Sequence, residues 1–331
     1  AVALSVSLIM ASAVGVVLAI FLYSRQEIST SIIRRKTYGN RIFSKQVRIR
    51  AETDILQKKG DQTAVYELQG SLFFGTANQL LGGLDDDLKT RKYIILDMHR
   101  VQSVDLTAAH VLEQAKEVMG ERGGFLLFSR VPRSLPSGKD VERYFGEVGL
   151  VEHTGPVKIF DELDDALEWV ENRIIAEETL TIGDEAALEL ADFELFKGRK
   201  KSTTDDLRTF VKEVSVKAKE TIFDEGDSGD SLYLIRRGAV DITLDTAEGE
   251  THRVGSFGRG NFFGELSFLD GGTRSANAVA DSDVDLFVLS RTDFEQFATR
   301  HEASSIVFLE GLASVLAGRL RLTNVELSAL D

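Results

Sequence analysis

The hydrophobic pattern changes character three times along the chain. Residues 2–23 read VALSVSLIMASAVGVVLAIFLY and contain no charge. As an α-helix rising 1.5 Å per residue, this run spans roughly 30 Å, the hydrocarbon thickness of a bilayer. Its polar members are mainly Ser5, Ser7 and Ser12, too few to make a wet face. A cleaved signal peptide fits poorly, since a basic leader is lacking and the apolar run is long. The pattern predicts a transmembrane helix within residues 1–23. Beyond residue 60, short apolar runs alternate with amphipathic ones. Residues 64–68, 93–97 and 125–128 read as strands, and residues 76–88, 105–119 and 161–174 as helices. Asp105 is placed to cap the second helix. The third has Leu163, Ala166, Leu167, Val170 and Ile174 on one face and Trp169 on its flank. Such alternation predicts an α/β layer with one sheet under covering helices.

From residue 174 to 206 the periodicity fades into a linker. An alanine- and leucine-rich run at 185–190 precedes Phe193 and Phe196, which are placed to dock on the carboxy-terminal domain. Residues 284–289 read as a last strand, and residues 291–301 and 303–322 as helices. The last helix presents Ile306, Leu309, Leu312, Leu316 and Leu320 at helical spacing, a stripe suited equally to core packing or a homodimer seam.

A length of 331 residues predicts two or three domains. The absence of cysteine excludes disulfides, thiolate metal sites and cysteine nucleophiles. A net charge of −14 argues against a general nucleic-acid binder. Charge is also distributed in blocks. Residues 24–60 hold ten Lys/Arg against three Asp/Glu, a net +7, so residues 61–331 carry −21. A basic flank after an apolar helix places its carboxy-terminal side in the cytoplasm. The expected location is therefore the cell inner membrane, with residues 24–331 cytoplasmic. Residues 25–50 form either a solvated linker or a contact for anionic lipid headgroups. The chain starts at Ala1 inside an apolar run, as the tail of a larger membrane protein would.

The richest chemistry lies in residues 264–278, GELSFLDGGTRSANA. Glycines allow close backbone approach, amides point at an anion, and one guanidinium neutralises it. A carboxylate repels phosphate but accepts well from a sugar hydroxyl. Glu265 and Arg274 together suggest a ligand carrying ribose and phosphate close together. Other motifs fail. Gly258, Gly260 and Gly264 approximate a dinucleotide fingerprint with the last spacing one residue too long, and no Walker A, H-E-x-x-H or G-x-S-x-G sequence occurs. The five histidines are scattered, and Asp85, Asp86 and Asp87 read as a solvated acidic turn. No catalytic or metal site and no cofactor is expected, and the chain is not read as an enzyme.

The 264–278 stretch resembles the phosphate-binding cassette of cyclic-nucleotide-binding domains, with residues 220–227, 231–235 and Gly238 similar to the entry of their β-roll. The resemblance implies a ligand site of Gly264, Glu265, Leu266, Arg274, Ser275 and Ala276. Glu265 would take the ribose 2′-hydroxyl, and Arg274 the cyclic phosphate with help from Ser275 and Ala276. Ser275 favours cyclic AMP over cyclic GMP. Residues 61–173 resemble a STAS domain, on GSLFFGTA at 70–77 and YIILDMHRVQSVDLTAA at 93–109. Leu106 stands where STAS anti-sigma factor antagonists carry a phosphorylatable serine, with Thr107 the nearest hydroxyl, so no phosphorylation site is assigned.

The expected organisation is multi-domain α+β. It has a transmembrane helix (1–23), a basic juxtamembrane linker (24–60), a STAS-like domain (61–175) and a linker (176–206). A cyclic-nucleotide-binding-like β-roll with its amino-terminal helix and flanking helices completes it (187–331). That order resembles the carboxy-terminal end of a bacterial SulP inorganic anion transporter, which implies a regulatory tail partnered with a preceding membrane domain. A stand-alone membrane-anchored signalling scaffold is the alternative.

Overall fold

The computed structural model describes residues 10–19, 31–132, 141–147, 150, 155–179, 186–246 and 251–330. The chain divides into two compact units, one of residues through Gly39 with Asp61–Ala166, the other of Asn40–Gly60 with Leu167–Asp331. Of the apolar run at 2–23, the described part is helix α1, Met10–Ala19, with all ten residues exposed. The rest of the expected transmembrane helix lies outside the described residues.

The first unit is built on a five-stranded sheet. Its strands are β1 (Ile33–Tyr38), β3 (Thr63–Leu72), β4 (Tyr93–Val104), β5 (Phe125–Ser129) and β6 (Val157–Phe160), in the order β1-β3-β4-β5-β6. β3 to β6 are parallel and β1 is antiparallel at one edge. The central strands are near-continuously buried, as parallel strands covered on both faces must be. Helices α3 (Phe74–Thr90) and α4 (Leu106–Glu121) connect them, and α5 (Val141–Glu147) follows β5. Asp105 caps α4, its Oδ1 accepting from the Ala108 amide at 2.7 Å. Ala77, Leu80, Leu84, Ala108, Leu112 and Met119 of the helices pack against Ile94, Leu96, Leu126 and Phe128 of the sheet.

Two sequence expectations change here. Asp87 is not part of a solvated turn but is 3% exposed within α3. It accepts from the Tyr66 hydroxyl at 2.6 Å and pairs with Lys36 Nζ at 2.9 Å. Burial opposes its charge, but the Tyr66 and Lys36 hydrogen bonds outweigh that and hold the carboxyl below its usual range. Second, residues 31–60, expected as part of a basic juxtamembrane linker, carry regular structure. They form β1, β2 (Gln46–Val47) and helix α2 (Arg50–Lys59). Their cations pair with acidic residues of the chain, Arg34 with Glu67, Lys36 with Asp87, Arg48 with Glu171 and Lys59 with Glu178. The density of charge hid an edge strand that bears Arg34, Arg35 and Lys36, residues that suit an edge.

The second unit is a β-roll of two sheets. One has the order β2-β11-β10-β13-β8, with β8 Thr221–Phe223, β10 Ala239–Asp245, β11 Thr251–Gly258 and β13 Asn277–Ala280. The other has the order β12-β9-β14-β7, with β7 Lys212–Val216, β9 Ser231–Arg237, β12 Phe262–Phe263 and β14 Val284–Ser290. Helix α6 (Leu163–Thr179), short 3-10 turns at Leu190–Asp192 and Glu194–Phe196, and helix α7 (Lys201–Arg208) precede the strands. The six-residue helix α8 (Glu265–Asp270) sits within the roll, and α9 (Arg291–Arg300) and α10 (Glu302–Leu330) come after it. Phe193 and Phe196 do dock, in a core with Phe210, Phe268, Phe287, Phe294, Phe297 and Phe308. Residues 302–321 are long and apolar enough to cross a membrane, yet Phe308 and Leu312 are buried in this core.

The stripe expected on α10 is buried only in part, with Leu312 buried and Leu316 packed partly buried against the core. Ile306, Leu309 and Leu320 are exposed, while Ser305, Phe308, Gly311 and Leu312 are buried. The helix is apolar on several sides, so spacing alone did not single out the contact face.

Candidate ligand cavity of the β-roll

The chain forces a tight geometry at 264–274. Gly264 adopts φ +76°, and a Cβ there would lie 2.7 Å from Arg274 Nη1 and 3.0 Å from the Ser231 carbonyl oxygen. Only glycine fits both the left-handed backbone and the space. α8 begins at once and ends at Gly271, also left-handed. The chain then returns through Arg274, whose amide donates to Asp227 O and whose carbonyl accepts from Gly226 N, both at 2.9 Å. This bridge pins the backbone at Arg274 and turns its side chain inward.

Arg274 is 4% exposed. Its Nη1 donates to Gly264 O at 3.0 Å and Ser267 Oγ at 2.8 Å, and its Nη2 donates to Ser231 O at 2.9 Å. The guanidinium lies over Phe223 at 4.2 Å and Tyr233 at 5.4 Å from the ring centroids. Burial pushes the Tyr233 phenol above its ordinary range, with Arg274 pulling the other way. Among the described residues, Arg274 Nε has no hydrogen-bond partner, and no carboxylate forms an ion pair with this buried cation. A buried guanidinium held by neutral acceptors, with an N–H to spare, suits an anionic ligand.

A cavity of about 510 Å³ opens beside it, within the range of roughly 300–1,000 Å³ usual for small-molecule sites. All six residues singled out in the sequence line it: Gly264, Glu265, Leu266, Arg274, Ser275 and Ala276. Ile242, Leu244, Val254 and Phe257 supply apolar wall. The lining thus combines positive charge and a carboxylate with apolar wall. A ligand with a phosphate, a hydroxylated sugar and a flat apolar base matches that combination. Leu266 is exposed at 56%, and Ser275 is also exposed.

Sequence reasoning missed Arg319, which lies seven residues beyond Leu312 on the buried face of α10. It lines the same cavity. Its Nη1 lies 3.8 Å from Glu265 Oε1, its Nη2 donates to Phe262 O at 3.0 Å, and its guanidinium faces Phe262 at 4.3 Å. Burial lowers its pKa, against an upward pull from Glu265. At that separation from Arg319, Glu265 keeps lone pairs to accept a hydroxyl. Also missed was the segment 43–48, which lines the cavity from outside the strands that the sequence pattern had marked.

Comparison with known proteins accords with this geometry. Residues 54–166 match the STAS domain family, and residues 213–301 match the cyclic nucleotide-binding domain family. The chain contains both domains. The STAS match begins within α2, ahead of the boundary at 61 read from the sequence. Among curated relatives, Glutaminase 1 of Bradyrhizobium diazoefficiens is 27% identical over 287 residues, 87% of this chain and 45% of that protein. The Cyclic AMP receptor protein of Thermus thermophilus is 38% identical over 110 residues, 33% of this chain and 49% of that protein. The chain spans about half the length of these relatives. Among solved structures, the Thermus thermophilus Catabolite Activator Protein is 34% identical, covers 41% of this chain and 62% of its own, and superposes with a TM-score of 0.37.

Proposed function

We propose that the β-roll cavity binds a cyclic nucleotide, cyclic AMP in preference to cyclic GMP, and that the chain is a nucleotide-responsive regulatory segment. The observation that carries this reading is Arg274, a buried cation without a carboxylate partner among the described residues, in a cavity that also presents Glu265. The similarity to the Cyclic AMP receptor protein of Thermus thermophilus, 38% identical over 110 residues, supports it. The finer reading is the cytoplasmic tail of a SulP-type anion transporter, anchored by the run at 2–23 and joined to a preceding membrane domain. It rests on the order of apolar run, STAS domain and nucleotide-binding domain. A second reading, the regulatory part of an enzyme, is favoured by the match to Glutaminase 1 along 87% of the chain. The coding DNA upstream separates them, by many apolar helices in frame or by a catalytic domain.

The binding test is calorimetric titration of the full chain in detergent micelles with each nucleotide. Wild-type protein should bind cyclic AMP, and the Arg274→Ala variant should lose on the order of 30-fold or more in affinity. Binding of both nucleotides weaker than about 1 mM by folded wild-type chain would refute the sensor reading.

A further inference from the structure

The nucleotide-binding family match covers residues 213–301, yet the cavity has a wall from far upstream. β2 lies parallel on β11, with Gln46 opposite Ser256 and Val47 opposite Phe257. β11 supplies Val254 and Phe257 of the apolar wall, and β2 extends the sheet beside β11. Phe43 and Val47, with Leu56 of α2, line the cavity as well. A two-residue strand holds weakly by its ladder alone, and other bonds secure this one. Ser256 N donates to Lys45 O at 3.1 Å, and Asn261 Nδ2 to Val47 O at 2.9 Å.

The strongest fastening is Glu171, which is 4% exposed. Its Oε1 accepts from the Ser44 amide at 2.7 Å, and its Oε2 accepts from the Ser44 hydroxyl at 2.6 Å and Arg48 Nη2 at 3.0 Å. Both carboxylate oxygens of a buried residue are thus used to clamp one short segment, and charge-assisted bonds of this kind are the strong ones.

We infer that residues 43–48 form a wall of the nucleotide site, seated by Glu171, and that ligand affinity and the seating of this segment are coupled. The inference rests on the cyclic-nucleotide reading of the cavity. The space of about 510 Å³ exists with the segment in place, so the segment is a wall and not a plug. Its apolar side chains Phe43 and Val47 line the cavity with Val254 and Phe257 of β11, and suit contact with the base. Coupling is reciprocal: a bound base buries Val47 and holds the segment, and a loosened segment weakens binding. The segment follows β1 along the chain and precedes α2. Glu171 acts as a positioning residue, since it reaches the site only through Ser44 and Arg48.

The chain has no cysteine, so Val47→Cys in the full chain places a single thiol on this wall. Saturating cyclic AMP should slow thiol labelling of Val47→Cys about tenfold or more and leave labelling of Glu117→Cys, exposed on α4, unchanged. Glu171→Ala should weaken cyclic AMP binding about tenfold and speed labelling at position 47, while Glu171→Gln, which keeps an acceptor for Ser44, should weaken it less. Labelling at 47 that is indifferent to bound cyclic AMP would overturn the inference and leave the sensor reading standing. Failure of wild-type chain to bind cyclic AMP would remove both.

Discussion

At the scale of single residues, two buried ionic groups show how differently the two units use charge. Arg274 donates to two backbone carbonyls and one hydroxyl, so Arg274→Ala takes a donor from each and should also cost about 1–3 kcal/mol of stability. A loss of nucleotide affinity in that variant is therefore ambiguous by itself. Glu265 is the cleaner probe, because Arg319 approaches it only to the long distance of 3.8 Å. Glu265→Gln should weaken cyclic AMP binding about tenfold, through a poorer acceptor for the ribose hydroxyl, with little change in melting temperature. An equal drop in both would mean that Glu265 is structural. Asp87 belongs to the other pattern, a carboxylate enclosed by its donors. Its folded pKa is lowered from 3.8, so its contribution is complete above that value and is lost as pH falls through the depressed one. Asp87→Asn should cost about 1–3 kcal/mol at neutral pH and flatten the loss of stability on acidification. Denaturant titrations from about pH 6 down to pH 3 read this, and parallel curves for wild type and variant would exclude it.

At the scale of elements, legibility tracked the range of the interactions. The cassette could be read from its own residues, since Gly264, α8 and Arg274 fall within one short stretch, but the partners that seat Arg274, Gly226, Asp227 and Ser231, lie more than 40 positions upstream and were not legible. The Asp105 cap of α4 could be read too. The strand β2 could not: its neighbours Phe257 and Glu171 lie far along the chain, and its own residues, Gln46 and Val47, carry no alternation to read. β1 was hidden by its charges. On α10 the sequence offered Ile306, Leu309, Leu312, Leu316 and Leu320; Leu312 and Leu316 do pack on the core, but Phe308 and Gly311 take the places expected of Ile306 and Leu309. Gly311 shows why: a Cβ there would meet Leu195 O at 2.2 Å, so the helix docks only where it has no side chain. Gly311→Ala should push α10 away from the 3-10 turn at 194–196 and destabilise the second unit by about 1–3 kcal/mol, although alanine is the better helix former. Because Arg319 rides on the same helix, the substitution should also alter nucleotide binding. A melting temperature that rises on introducing alanine would show that the contact at Leu195 yields freely.

At the scale of the whole molecule, the two domains were legible because each has its own periodicity. The assignment of residues 24–60 was not, because a run with net +7 reads as a linker until its carboxylate partners are known. Those partners sort the run between the units: Arg34 and Lys36 bond within the first, Arg48 and Lys59 within the second. Two units with separate cores should unfold as two transitions, and a ligand stabilises only the one whose native state it binds. Trp169, the chain's only tryptophan, belongs to the second unit and lies 5.0 Å from the Arg173 guanidinium. Its fluorescence therefore reports on the unit that holds the cavity. Cyclic AMP at about 100 times its Kd should add about 2.7 kcal/mol to that unit and raise the Trp169-detected midpoint by roughly 5–10 °C. Calorimetry on the same sample should show a second transition that does not move. If cyclic AMP shifts the entire heat-absorption profile together, the two units unfold as one cooperative body. The STAS domain would then share the energy of nucleotide binding directly.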